Sequence, residues 1–367
     1  MAIYEVKNGE GIIPEGTTVI ERGAFKDCED LKSLIIPEGV TSIRNGAFEG
    51  CKNLESITIP ASAKSIECAW NVFKDCTALK SIVVAEGNPT YDSRGGCNAI
   101  IYTARNELFA ACATTVIPDG VRRIAPDVFT YRDWLKSINI PASVTDLGCG
   151  SPSHIFGYSP ALESIVVAEA NPKYDSRGGC NAIIDTESNT LVFGCATTII
   201  PEDVTGIGSQ AFRMCENLTS ITIPASVTTI GYYAFEDCPN LTSVTILGDL
   251  TEICEEAFHG CRNLTSVTIS GSVAVIEENA FAACGLTEIT LPKGVTKIKA
   301  SAFAGNKLRT VTLPAGIKKI DKYAFTRNDI ETIYVPAKKG DYYKQRLEAS
   351  LHDKIVELEP EKKAAKK

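Results

Sequence analysis

The chain is poor in the residues from which most active sites are built. Its 367 residues include only three histidines (His154, His259 and His352), two methionines and two tryptophans. No two of its cysteines stand in a Cys-x-x-Cys spacing, which removes the usual signature of zinc and dithiol sites. No glycine-rich run is shaped to cradle phosphates. No Ser–His–Asp set or carboxylate pair stands out from surface charge. We therefore assign no catalytic, cofactor-binding or metal-binding residue and expect a protein that is not an enzyme.

Other absences narrow the setting. Lys and Arg number 37 against 45 Asp and Glu, a net charge of −8, so the clustered base of a nucleic-acid surface is missing. The one basic cluster, within Lys362–Lys367, reads as a solvated tail. No apolar run approaches the ~18 residues of a membrane span. The opening Met1–Lys7 lacks the apolar core of an export signal. As it stands the sequence reads as cytoplasmic.

What the chain has in abundance is one repeated phrase, Ala-Phe-x-x-Cys-x-x-Leu-x-x-Ile-x-Ile-Pro. Its phenylalanine recurs at Phe25, Phe48, Phe73, Phe129, Phe156, Phe212, Phe235, Phe258, Phe281, Phe303 and Phe325. The last six are 23, 23, 23, 22 and 22 residues apart. A fixed period of this size marks a solenoid, in which each coil contacts only its neighbours. In residues 211–234, Ile221 and Ile223 alternate with Thr222 as in a half-buried strand, and Pro224 ends it. Val227 and Ile230 point back inward, and the stretch around Ala234-Phe235 predicts a short helical turn on the opposite edge. The expected fold is an α/β repeat: a right-handed leucine-rich-repeat solenoid of about fourteen coils. Its parallel strands occupy one face and short helical turns the other.

Seven of the fourteen cysteines (Cys28, Cys51, Cys76, Cys215, Cys238, Cys261 and Cys284) stand three residues after the repeat phenylalanine. Equivalent residues in stacked coils lie about 4.8 Å apart, and such a column does not pair as a disulfide framework would. The same column holds Asn306 and Asn328, so the position calls for a small side chain that satisfies turn backbone. These thiols are expected to be reduced and buried.

The phrase resembles the BspA-like leucine-rich repeat, over roughly Gly11 to Pro336. Departures are local: Tyr131-Arg132-Asp133 and Gly157-Tyr158-Ser159 replace the cysteine region, and Leu247 and Ser270 replace the proline. The resemblance implies a surface or secreted adhesin that binds other proteins, and a cell-surface setting if this chain is part of a longer one.

Two near-identical modules interrupt the array. Asn88–Ile101 and Asn171–Ile184 differ at one position, and the block from Phe73 recurs 83 residues later. Each module reads as an inserted β-hairpin, joined by a four-residue loop that sets Cys97 opposite Cys112 and Cys180 opposite Cys195. The resulting organisation is an N-terminal cap and first coil over 1–22 and the solenoid over 23–336. The modules lie at about 85–116 and 168–199, followed by a capping helix over 337–356 and a disordered charged tail over 357–367.

The outward strand positions are Ser and Thr, without the aromatic and arginine anchors that dominate interface energy. Those gather at the interruptions, giving Trp70, Tyr91, Arg94, Tyr131, Trp134, Tyr174 and Arg177 as candidate partner contacts. In Asp92-Ser93-Arg94 and Asp175-Ser176-Arg177 the competing reading is a turn whose charges pair with each other. The function expected is a protein-binding scaffold, with a host extracellular protein as the candidate partner. The alternative is a carbohydrate-binding surface protein stacking sugars on the same aromatics. Neither nucleic acid nor membrane insertion is expected, and the chain is expected to be a monomer.

Overall fold

Alternation along each strand decides which face is buried. In Ser220–Ile223 the two isoleucines face inward and Ser220 and Thr222 outward. A buried isoleucine contributes about 1.5–3 kcal/mol, so the register that stacks Ile on Ile is strongly favoured. The computed structural model describes residues 4–67, 69–148 and 153–359. They fall in two compact units, Met1–Asp175 and Ser176–Lys367.

In the first unit, Glu10–Ile12, Ser33–Ile35, Ser56–Ile59 and Ser81–Val84 form a parallel ladder, with Ile57 opposite Ile82. A second ladder joins Val19–Ile20, Ser42–Ile43 and Ser65–Ile66. In the second unit, Ser220–Ile223, Ser243–Ile246 and Ser266–Ile269 pair in parallel, as do Glu288–Thr290, Thr310–Thr312 and Thr332–Val335. Each unit has its own hydrophobic core. Each unit is a leucine-rich-repeat solenoid, and the turns of the two number about fifteen, close to the fourteen expected.

The edge opposite the long strands departs from expectation. Short helical turns occur at Ala69–Val72 and Ser153–Phe156, the two places where extra residues enlarge the coil. Elsewhere a left-handed residue stands on each side of Ala-Phe: Tyr233 (φ 58°) and Asp237 (φ 51°) bracket Phe235, and Ser301 (φ 54°) and Gly305 (φ 67°) bracket Phe303. Left-handed backbone cannot continue a right-handed helix, so the segment becomes two linked turns. Its amides then bond between coils instead of along a helix. Phe212, Phe235 and Phe258 donate N–H to the carbonyls of Ala234, Ala257 and Ala280 at 2.7, 2.7 and 2.9 Å.

The phenylalanine rings stack behind these turns. From Phe212 to Phe281 successive centroids are 4.9, 4.9 and 5.1 Å apart, with rings within 6° of parallel. The cysteine column locks the stack. Cys51, Cys76, Cys238, Cys261 and Cys284 each donate S–H to the phenylalanine carbonyl one coil back, at 2.9 to 3.1 Å. Asn306 and Asn328 do the same through Nδ2, to Phe281 and Phe303 at 2.7 and 2.8 Å. All twelve described cysteines are free thiols. Cys28 and Cys215 are half-buried rather than buried. Each opens a run of the column and has no such bond to a phenylalanine one coil back.

The C-terminal end differs from the expected capping helix over 337–356, while the N-terminal lead takes a definite form. The N-terminal lead is an antiparallel hairpin of Glu5–Lys7 and Glu10–Ile12, which covers the first coil edge. At the other end the helix is limited to Gly340–Lys344, followed by a 3₁₀ segment at Ala349–Lys354. Ile355–Glu357 then adds a parallel strand to Thr332–Val335. The predicted stripe still does its work: Tyr343 and Leu347 are buried and Leu351 packs against the same core. Residues 360–367 of the expected tail lie outside the described residues.

Where Leu247 and Ser270 replace the strand-ending proline, glycine follows each. A Cβ on Gly248 would stand 2.1 Å from the Val227 carbonyl oxygen, and one on Gly271 2.0 Å from the Gly248 oxygen. Gly271→Ala should therefore force backbone apart and cost about 1–3 kcal/mol, read as a lower Tm. An unchanged Tm would mean that the coils are not held this closely.

Alkaline stability tests the buried thiols. Burial pushes Cys51 from 9.0 to about 12 and Cys254 to about 11. The folded state thus keeps protons that the unfolded chain loses. Stability should be intact below about pH 9 and fall as pH rises toward 11–12. A Tm flat across that window would contradict the burial of these thiols.

Candidate functional site

The first module is a small sheet. Ala99–Tyr102 pairs antiparallel with both Tyr91–Asp92 and Glu107–Ala111, and the last strand runs parallel to Arg123–Ile124. Asn106 closes the loop in left-handed conformation (φ 48°), as Asn189 does in the second module (φ 51°). In the second unit Ala182–Asp185 and Thr190–Gly194 form the corresponding hairpin. Gly194 is required there, because a Cβ would lie 2.2 Å from the Phe212 ring.

Both hairpins carry a bulge that corrects the expected cysteine register. Ile101 faces Leu108 as the four-residue loop predicts, but beyond the bulge Ile100 faces Ala110 and Ala99 faces Ala111. Cys112 is thereby carried past Cys97, and its thiol donates to the Asn98 carbonyl at 3.2 Å. The same shift, between Ile183 and Ile184, sets Cys195 on the Asn181 carbonyl at 3.5 Å.

The duplicated residues mostly build the module. Asn88 Oδ1 accepts the Thr90 and Tyr91 amides, both at 2.9 Å, while Nδ2 donates to the Pro60 and Ala63 carbonyls. Asn171 repeats this arrangement on Lys173, Tyr174, Pro141 and Val144. Tyr91 is 5% exposed and Tyr174 6%, so these two candidates face inward. Tyr91 Oη accepts the Ile66 N–H at 3.1 Å, and burial pushes its pKa up. Arg94 clamps Asp92 through Nε and Nη2, at 2.9 and 2.5 Å, and donates Nη1 to Asn106 Oδ1 at 3.2 Å. Arg177 Nη1 reaches Asn189 Oδ1 at 3.0 Å and Asp203 Oδ2 at 2.8 Å.

The outward aromatics lie where the cysteine region is replaced. Tyr131 (φ 58°) and Tyr158 (φ 56°) each stand two residues after a repeat phenylalanine. The left-handed backbone throws both side chains off the edge, where the rings stack at 4.6 Å and 21°. Tyr131 is 58% exposed. Trp134 is half-buried, with the Arg132 guanidinium 5.9 Å from its ring centroid. Arg132 occupies the cysteine column yet is only 7% exposed, and burial pulls its pKa down. Ser159 takes the column position in the next coil and donates Oγ to the Phe129 carbonyl at 2.7 Å. Trp70 lies in the Ala69–Val72 turn, its side chain outside the described residues. Sequence reasoning left Tyr158 out of the candidate contacts, although its place two residues after Phe156, matching Tyr131 after Phe129, carries the signal.

Tyr91→Phe separates a building role from a contact role. It leaves the buried Ile66 amide without its acceptor and should cost about 1–3 kcal/mol in a denaturant melt. No loss of stability would return Tyr91 to the list of contacts.

The chain matches the family described as BspA type leucine rich repeat region, in 6 copies, over residues 4–94, 101–176, 194–306 and 275–350. No curated protein matches it. Among solved structures it is similar to a leucine-rich cell surface protein of Faecalibacterium prausnitzii A2-165, with 20% identity and a TM-score of 0.52 over 95% of this chain and 90% of that one. A leucine-rich repeat protein of Eubacterium ventriosum gives 19% identity and a TM-score of 0.57, covering 89% and 92%. The pneumococcal vaccine antigen PcpA gives 15% and 0.50, covering 90% and 76%. Such identities establish the fold alone. Among the described residues no helix is long and apolar enough to cross a membrane. With matched repeats spanning most of the sequence and the same coil in the structure, the chain belongs to the BspA-type leucine-rich repeat family.

Proposed function

We propose that this chain is a non-enzymatic, protein-binding scaffold of the adhesin kind, displayed at a cell surface. The observation that carries the reading is the stacked Tyr131–Tyr158 pair, with half-buried Trp134 three residues along the chain, set on an edge otherwise built for coil stacking. Loops on a rigid scaffold are where binding residues concentrate, and tyrosine and tryptophan supply large contact area at low entropic cost. Trp70, Arg94 and Arg177 are proposed as accompanying contacts, while Tyr91 and Tyr174 support their modules from inside. Family membership and the likeness to a cell surface protein of Faecalibacterium prausnitzii support the surface setting.

A sugar-binding function is the second reading, favoured by the open face of Tyr131. Tyr131→Gly and Tyr158→Gly provide a clean test, because glycine relieves a left-handed backbone cost of roughly 1–2 kcal/mol. The variants should melt at or above the wild-type temperature. Binding to an extracellular protein captured by the wild-type chain should fall at least about tenfold. Undiminished protein capture would reject this face, and ring-dependent signals on a glycan array alone would favour the second reading.

A further inference from the structure

In the second unit, three successive coils place unrelated residue types in two adjacent edge columns. The position after the repeat phenylalanine holds Arg213, Glu236 and His259, and the position two before it holds Tyr233 and Glu256 in the latter two coils. His259 Nδ1 lies 3.9 Å from Glu236 Oε1 and 3.8 Å from Glu256 Oε2. The three atoms are all within 4.8 Å of one another. Glu236 is only 8% exposed, and the other two residues are half-buried.

The remaining oxygens already have partners. Arg213 Nε donates to Glu236 Oε2 at 2.5 Å, and Asn279 Nδ2 to Glu256 Oε1 at 3.5 Å. That leaves Glu236 Oε1 and Glu256 Oε2 aimed at the imidazole. His259 Nδ1 itself is buried with no hydrogen-bond partner. If protonated, it would need an acceptor within about 2.7–3.2 Å; if not, it would need a donor. Neither is present, since both neighbours are acceptors and both are too far.

A cation at the centre would satisfy all three atoms at once. Metal–ligand bonds of about 2.0–2.2 Å in tetrahedral geometry set ligand atoms roughly 3.3–3.6 Å apart, so the two imidazole–carboxylate separations would close by only a few tenths of an ångström, with rotation of the glutamate side chains bringing the two carboxylates together. An imidazole with two carboxylates and no thiolate suits zinc and similar first-row divalent ions. Arg213 and Asn279 would orient the carboxylates from outside, as outer partners do in metal sites. The guanidinium offsets one carboxylate charge and so moderates affinity. We propose that Glu236, Glu256 and His259 bind one divalent transition ion of the zinc class, completed by water, which ties neighbouring coils together along the edge. This inference stands apart from the partner-binding reading and touches none of its residues.

The test uses the full chain stripped with a chelator and titrated with Zn²⁺ by calorimetry. One saturable site per chain is expected, weakened at least about tenfold by His259→Gln and by Glu256→Gln. Zn²⁺ should raise the Tm of the wild type and leave that of His259→Gln unchanged. Co²⁺ should give a ligand-field spectrum without thiolate charge-transfer bands. The metal-free melt of each variant checks its fold, and a variant that fails it leaves the other to decide. Absence of saturable binding, binding that both variants retain, thiolate bands, or an Nδ1 proton that persists on His259 with Zn²⁺ present would each overturn the proposal.

Discussion

The structure depends on a side-chain hydrogen bond thrown from one coil to the one before it. In eight coils a donor three residues after the phenylalanine bonds the carbonyl of the phenylalanine one coil back. It adds a second donor to carbonyls such as Phe25, Phe48 and Phe212, which already accept one turn amide from their own coil at 3.1 to 3.2 Å. A buried carbonyl has two lone pairs and the turn amide meets only one, so the position favours a side chain that donates to the other. Cysteine supplies a weak one with little bulk. Asn306 meets the same need and adds more: it donates also to its own Phe303 carbonyl at 3.0 Å and accepts the Leu286 amide at 3.1 Å. Ser159 shows that a hydroxyl serves equally. A cysteine-rich composition thus arises without any cross-linking purpose.

Arg132 is the exception that marks the interruption. It sits in the thiol column, with Cys76, Cys112 and Asp75 as electrostatic neighbours, and Nε makes a long bond of 3.4 Å to the Val128 carbonyl. A guanidinium is far too large to act as a cysteine there. Its stem fills column space while its head passes under Trp134, so the break in the repeat both fills the core and shapes the surface. The Asn88 and Asn171 hubs play a comparable part, each using one side chain to satisfy four backbone groups where a module leaves the stack.

The period, the inward Ile columns, the cysteine column and the exchange with asparagine were all legible in residue spacing, because each repeats at the coil length. The double turn was not. The position two after phenylalanine holds Asp27, Gly50, Tyr131, Met214, Ala283 and Arg327, which share a left-handed φ but no side-chain chemistry. The bulges were hidden for a different reason: they shift register inside a hairpin without changing loop length, and so carry Cys112 past Cys97. Burial of Tyr91 and Tyr174 was masked by composition, since a tyrosine that bonds a strand amide looks in sequence like one that meets a partner. The Glu236–Glu256–His259 group spans two columns and becomes visible only when coils are laid side by side.

The left-handed residue after each phenylalanine gives the edge a property that the strands lack. Strand positions are chosen by what lies beneath them, so exchange there disturbs the core. At the edge the backbone itself directs the side chain away from the coil, and the choice of side chain is nearly free of the interior. One such position recurs in each coil that carries the phenylalanine, and successive ones stand at the ~4.8 Å rise of a parallel ladder. Within each unit a run of phenylalanine coils therefore behaves as a rail carrying one interchangeable letter per coil. New recognition can be written along it by single substitutions, without rebuilding the solenoid that holds it.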